Sequence, residues 1–172
     1  MRANELFHAS LETYLPGRIL QAPERLGSPV EMVLGRLRPA DKPSRLHTWF
    51  ACGSPADCAA YLEAQQRSGF NRSKLVGPPH YYGVTMPSAA GLPMALVERL
   101  RRELEVPRVH IDAIGREYWH PQEKWLFWEF LDEQMSIVAE VSPPSPQEIG
   151  ISIWHYMADQ ERAKVAWPSS GL

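Results

Sequence analysis

Hydrophobic positions fall in short blocks along this chain, and their spacing switches between a period of two and a period near 3.6. Glu5–Ser10 predicts a strand with Leu6 and His8 on one face and Phe7 and Ala9 on the other. Leu15-Pro16-Gly17 reads as a turn, and residues 21–30, with two prolines and a glycine, as loop. Glu31–Leu37 predicts a short helix carrying Met32, Val33 and Leu37 and stopped by Pro39. A turn over Asp41–Arg45 leads into an aromatic, β-rich strand, Leu46–Ala51. Ser54 then suits an N-cap, Pro55 the first helical position, and Asp57 the positive end of the helix. That helix carries Cys58, Tyr61 and Leu62 along one stripe, with Gly69 as its stop and loop over 71–79. His80–Met86 is a third strand. Leu92–Val106 predicts an amphipathic helix with Leu96, Val97, Leu100 and Leu104 on one face, ended by Pro107. His110–Trp119 aligns Ile111, Ile114 and Tyr118.

The run Trp125–Val141 reads as two strands joined by a polar turn at Asp132, Glu133 and Gln134. Its first strand is apolar on both faces apart from Glu129. A lone ionised carboxylate in such a setting costs several kcal/mol unless it is paired or hydrogen-bonded. Two resolutions are open: an arginine partner in the core, or a cleft in which the carboxylate does chemistry. After a break at Ser142–Pro146, Ser145 and Glu148 match a capping box and open a closing helix through Met157. The last residues, WPSSGL, read as a frayed tail. These elements predict one α+β domain over residues 1–172, with a core at 5–158 and a tail at 159–172.

Composition narrows the function classes. With a formal net charge of −2, nothing marks the chain as a general nucleic-acid or membrane-surface binder. Local basic clusters lie at Arg36–Arg45 and Arg99–Arg108; the second reads as a solvated helix face. Cys52 and Cys58 make neither a disulfide framework nor a zinc pattern, and reduced thiols imply a cytoplasmic setting. No run reaches the ~18 apolar residues that span a bilayer, and the first ten residues do not read as a signal peptide. The histidines lack metal-ligand spacing, and there is no GxSxG, P-loop or GxGxxG. Trp119, Trp125, Trp128 and Trp154 read as core.

Several pieces then line up in order: Phe7-His8-Ala9-Ser10 on the first strand, Pro43-Ser44-Arg45 before the strand HTWFA, Tyr61 on the Ser-capped helix, Tyr118-Trp119, and Glu129-Phe130-Leu131. Over residues 5–141 this resembles the ADP-ribosyltransferase superfamily, in the branch defined by a His-Tyr-Glu triad. It is most similar to an uncharacterised group of bacterial domains with "PSR" before the second strand. The resemblance implies split antiparallel β-sheets with flanking helices that clasp NAD, in an enzyme of the cell's own cytoplasm or a toxin-like effector delivered into another. It implies that His8, with Ser10 beside it on the strand, contacts the adenosine ribose, and that Arg45 contacts the pyrophosphate. Tyr61 stacks on nicotinamide in this reading, a role for which Trp49, Tyr81 and Tyr82 compete. Glu129 is the catalytic carboxylate, bonded to the 2′-hydroxyl of the nicotinamide ribose.

The residue types suit that chemistry. Cleaving the nicotinamide–ribose bond builds positive charge on the sugar, which a nearby carboxylate stabilises. An aromatic face suits the cationic ring, and a guanidinium grips phosphate oxygens. The sequence also departs from the family. The second strand continues Trp49-Phe50-Ala51-Cys52-Gly53-Ser54 rather than placing a serine or threonine directly after an aromatic. Phe127 stands where arginine-modifying members carry a second Glu or Gln, so the acceptor, macromolecule or small molecule, is expected not to be arginine. The alternative expectation is an inactive module on the same fold that binds NAD, another nucleotide or a protein.

Overall fold

The computed structural model describes residues 5–67, 77–106 and 109–168. Among them, seven antiparallel strands hydrogen-bond in the order β2-β7-β4-β1-β3-β6-β5. The strands are β1 (Leu6–Ser10), β2 (Ile19–Gln21), β3 (Trp49–Cys52), β4 (His80–Thr85), β5 (Ala90–Pro93), β6 (Trp128–Asp132) and β7 (Gln134–Val141). Five helices accompany them: α1 (Pro29–Arg36), α2 (Pro55–Arg67), α3 (Ala95–Leu104), α4 (Ile111–Trp119) and α5 (Pro146–Ala166). The α+β class therefore holds.

The middle of the sheet is its weakest seam. β1 pairs with β4 from Leu6 to Ser10, but with β3 only through Phe7 opposite Cys52. Beyond that pair the His8 ring fills the gap, and its Nδ1–H donates to the Phe50 carbonyl at 2.7 Å. Two half-sheets, β2-β7-β4-β1 and β3-β6-β5, are thus joined by one registered pair.

The expected hairpin does not form. β6 pairs with β3 and β5, whereas β7 pairs with β2 and β4. Glu133 alone carries the chain from one half to the other. The corner is held by the buried Asp132 carboxylate, which accepts the Ser88 N–H at 2.6 Å and the Gln134 N–H at 3.2 Å.

Side-chain alternation gives each sheet face its own core. One face packs under the helices: Leu131 and Phe50 meet Leu96, Leu100, Ile114 and Tyr118 from α3 and α4. On the same face Cys52, Phe7 and Ala9 meet Cys58, Ala59 and Tyr61 from α2. On the opposite face Leu6, Ala51, Tyr82, Val84, Met135 and Ile137 cluster with Tyr14, and the half-buried Leu20, Trp49 and Phe130 pack against them.

Several expectations are corrected. Ile19–Gln21 pairs as β2, although the expected loop begins at Gln21, and Ala90–Pro93 as β5, although the expected helix begins at Leu92; both strands are short and lack an alternating signature. The predicted strand over 46–51 begins as a 3₁₀ turn at Arg45–His47, capped by Ser44, so the strand starts at Trp49. α5 continues past Met157 to Ala166, because Asp159 and Ala163 are fully buried. Trp167 packs on the core, and its carbonyl accepts from the buried Arg99 at 2.5 Å. Arg99 is therefore not part of a solvated face; it pairs with Glu103 at 3.0 Å. Trp154 is exposed rather than core. The expected stop at Gly69, the Pro107 terminus and the loop at 71–76 lie outside the described residues. No described helix is long and apolar enough to cross a membrane.

Candidate functional site

Glu129 lies in the middle of β6, opposite Cys52 of β3 and Leu92 of β5. The entry to β6 is pinned by α5: the buried Asp159 carboxylate accepts the N–H groups of Leu126 and Phe127 at 2.8–3.0 Å. That register turns Glu129 onto the helix-covered face, where its side chain is 1% exposed.

Two donors meet it there. Arg45, at the start of the 3₁₀ turn, donates Nη1–H to Glu129 Oε1 and to the Tyr118 hydroxyl oxygen. Tyr118, at the end of α4, donates its own O–H to the same Oε1 at 2.7 Å. Arg45 is 7% exposed, and Tyr118 is fully buried. Burial opposes the charge on Arg45, but the Glu129 carboxylate, followed by the Tyr118 and Tyr61 hydroxyls, outweighs it and holds the guanidinium above its ordinary pKa. Burial likewise pushes the Tyr118 and Tyr61 phenols up, so both stay protonated.

The pairing is incomplete. Glu129 Oε2 and Arg45 Nε are buried and have no hydrogen-bond partner among the described residues. Leaving such groups unmet is costly, and native folds rarely tolerate it without reason. Both residues line a cleft of about 160 Å³ whose wall also includes Arg25, Ser28, Phe50, Tyr61 and Tyr156. A second depression of about 310 Å³ adjoins it, sharing Ala64, Glu98, Arg101 and Tyr156. The first is smaller than the ~300–1,000 Å³ of ordinary ligand sites; the pair together falls within that range.

Aromatic rings give the cleft its floor. Phe50 lies 6.3 Å from Tyr61, ring to ring. The Arg25 guanidinium sits 4.5 Å over the Phe50 ring, and Arg45 lies 5.0 Å from its centre. Arg25 Nη2 donates to the carbonyls of Arg45 and Thr48 at 3.0 and 2.5 Å, tying the loop before α1 to the 3₁₀ turn.

Three of the sequence-predicted site residues, Arg45, Tyr61 and Glu129, therefore share one cleft. The other three stand apart. Phe7 pairs with Cys52 and so shares the Glu129 face, which turns its neighbour His8 to the other face, aligned with Tyr82. There His8 meets Trp49 edge-on at 5.7 Å, and Trp49 Nε1–H donates to the Leu20 carbonyl. Burial lowers the His8 pKa, with its bond to Phe50 acting in the opposite sense. Ser10 Oγ accepts the Glu12 N–H in an exposed turn. Of the aromatics that compete with Tyr61, Tyr81 packs beside Cys58 and Tyr82 bonds to the 12–14 turn.

Sequence reasoning gave no role to Tyr118 or Arg25. The stripe Ile111, Ile114, Tyr118 put a hydroxyl on a core-facing position, and a buried hydroxyl needs a partner. Arg25 lies in a proline-bearing loop with no periodicity to flag it. The described residues contain no cluster of His, Cys, Asp or Glu that would hold a metal ion. No family model matches this chain, and neither does any curated protein.

Proposed function

We propose that the chain is an NAD-dependent ADP-ribosyltransferase acting on an acceptor other than arginine. One observation carries this reading: Glu129 Oε2 is buried at the wall of a cleft and has no partner among the described residues. A ribose hydroxyl is a donor of the kind that oxygen lacks. Tyr61 and Phe50 offer aromatic faces beside it for a planar cationic ring. The seven strands form one sheet rather than the expected split pair, and the single registered β1–β3 pair is the feature that supports reading it as two halves.

In this reading Glu129 accepts the hydroxyl's hydrogen bond through Oε2 and steadies the positive charge that grows on the sugar carbon. The carbon–nitrogen bond to nicotinamide breaks, and its electron pair leaves with the neutral base. The acceptor's nucleophilic atom forms the new bond to the same carbon and releases its proton. Arg45 and Tyr118 hold Oε1, so the carboxylate keeps one orientation throughout. Phe127 contributes only packing, against Tyr156 at 5.5 Å, where a second carboxylate would be needed to prepare an arginine.

A second reading, a catalytically inactive module that binds NAD, another nucleotide or a protein on the same fold, draws on a different observation. Glu129 is already compensated by Arg45, and His8 already bonds to the backbone on the far face. Incubation with NAD labelled in its adenylate half separates the two. The enzyme reading expects nicotinamide release or label transfer that disappears in Glu129→Gln while the variant still melts cooperatively. Binding of NAD without turnover would favour the module.

A further inference from the structure

The lining arginines are not equivalent. Arg45 is paired with Glu129, and Arg101 is held by Glu98 at 2.6 Å and Glu105 at 3.1 Å. Arg25 differs: among the described residues it has no carboxylate within ion-pair distance, only two backbone carbonyls and the face of Phe50. Those carbonyls occupy Nη2, which leaves Nε and Nη1 of a fixed, planar guanidinium at the cleft wall. Its side chain is largely exposed; partial burial lowers its pKa, with the Glu31 and Glu129 carboxylates acting from a distance in the opposite sense.

The neighbouring groups do not supply a rival anion contact. The N-terminus of α1 also borders the cleft through Ser28, Val30 and Glu31. Its capping box is closed: the Ser28 N–H donates to Glu31 Oε2 at 2.9 Å, and the Glu31 N–H to Ser28 Oγ at 3.3 Å. The Glu31 carboxylate already sits on the positive end of α1, and the Ser28 and Glu31 donors are taken, so α1 offers an incoming anion nothing. Arg45 keeps a buried nitrogen, Nε, without a partner among the described residues, but its charge already faces Glu129.

We infer that Arg25, rather than Arg45, is the phosphate-binding residue of this cleft, and that the ligand it selects is a nucleoside diphosphate or a dinucleotide carrying that diphosphate. This rests on the reading of the cleft as a nucleotide site and assigns the diphosphate end of it. Stacking on Phe50 and two carbonyl contacts pre-pay the ordering of the side chain, so two N–H groups are aimed before the ligand arrives. Nicotinamide riboside, which has the ring and sugar but no phosphate, gains nothing from Arg25.

Titration calorimetry of the full chain with ADP, inorganic pyrophosphate and nicotinamide riboside tests the assignment. Wild type is expected to bind ADP and, more weakly, pyrophosphate. Arg25→Gln is expected to weaken ADP by about ten- to a hundredfold and to reduce its salt dependence. Arg25→Lys, which keeps the charge but loses the fork, falls between the two. Both variants are first shown to melt cooperatively well above the assay temperature, since Arg25→Gln also gives up the bonds to the Arg45 and Thr48 carbonyls. Equal ADP affinity in wild type and Arg25→Gln overturns the assignment, and so does a wild type that binds neither ADP nor pyrophosphate. Arg25-dependent ADP binding in a protein that never releases nicotinamide would sustain the inference while sinking the transferase reading. Nicotinamide release that Arg25→Gln leaves untouched, in KM as in rate, would do the reverse.

Discussion

Arg45 and Glu129, 84 residues apart in sequence, form an ion pair in which both side chains are more than nine-tenths buried. The pair joins the 3₁₀ turn before β3 to the middle of β6, and Tyr118 closes it from α4. It neutralises a carboxylate that a hydrophobic strand otherwise could not hold, yet it uses only one of the two carboxylate oxygens. Structure and proposed chemistry thus rest on the same side chain through different atoms.

That division predicts a strong coupling. Removing one partner leaves the other charge buried and alone, so Arg45→Met or Glu129→Leu singly costs about 3–5 kcal/mol. The double variant Arg45→Met/Glu129→Leu, with neither charge present, is expected to cost less than the two added together. Urea unfolding of the four proteins measures the coupling directly; additive losses would mean that the pair is not an energetic unit.

His8 predicts a pH dependence. In the unfolded chain it takes up a proton near its ordinary value of 6.5; in the fold, burial lowers that pKa. Between the two values the unfolded state binds more protons, so stability rises with pH across that window. The His8 contribution is fully present above pH 6.5 and is lost as pH falls through the folded value. Urea midpoints measured on both sides of pH 6.5 should fall less steeply toward acid in His8→Gln than in wild type. Parallel curves would show that the ring is freely solvated.

The two thiols predict chemical inertness. Cys52 and Cys58 are free, buried, and packed together between β3 and α2. The hydrogen bond to Cys58 and then burial push the Cys52 thiol well above its usual pKa, and Cys58 Sγ–H donates to the Phe7 carbonyl at 3.1 Å. A thiolate reagent should modify neither in the native protein and both in urea, with a native rate that follows global unfolding. Rapid native labelling would reveal that α2 opens away from the sheet on its own.

Much of the fold was legible because its causes are local. Ser54 and Ser145, read as caps from the sequence, each accept the backbone N–H that a helix start exposes; Ser28 and Ser44 do the same, and all four stand next to a proline. The apolar stripe of α3 and the aromatic β3 follow from side-chain periodicity alone. β2 and β5 were not legible: three- or four-residue strands are made by their partners, β7 and β6, rather than by a pattern of their own. The hairpin expectation failed for a related reason. A one-residue link at Glu133 says that two strands are consecutive, and nothing about whether they pair.

The same boundary runs through the candidate site. The sequence alone identified Glu129 as a carboxylate in conflict with its strand, since burial of WLFWEFL and the charge of a glutamate are properties of adjacent residues. It also placed Tyr61 on a helix following the second strand. Which arginine answers Glu129, which of its oxygens stays unpaired, and that His8 turns to the opposite face were decided only by tertiary structure. Register across a sheet and the meeting of β6, α4 and the 3₁₀ turn depend on chain closure over many residues, and no local pattern encodes them.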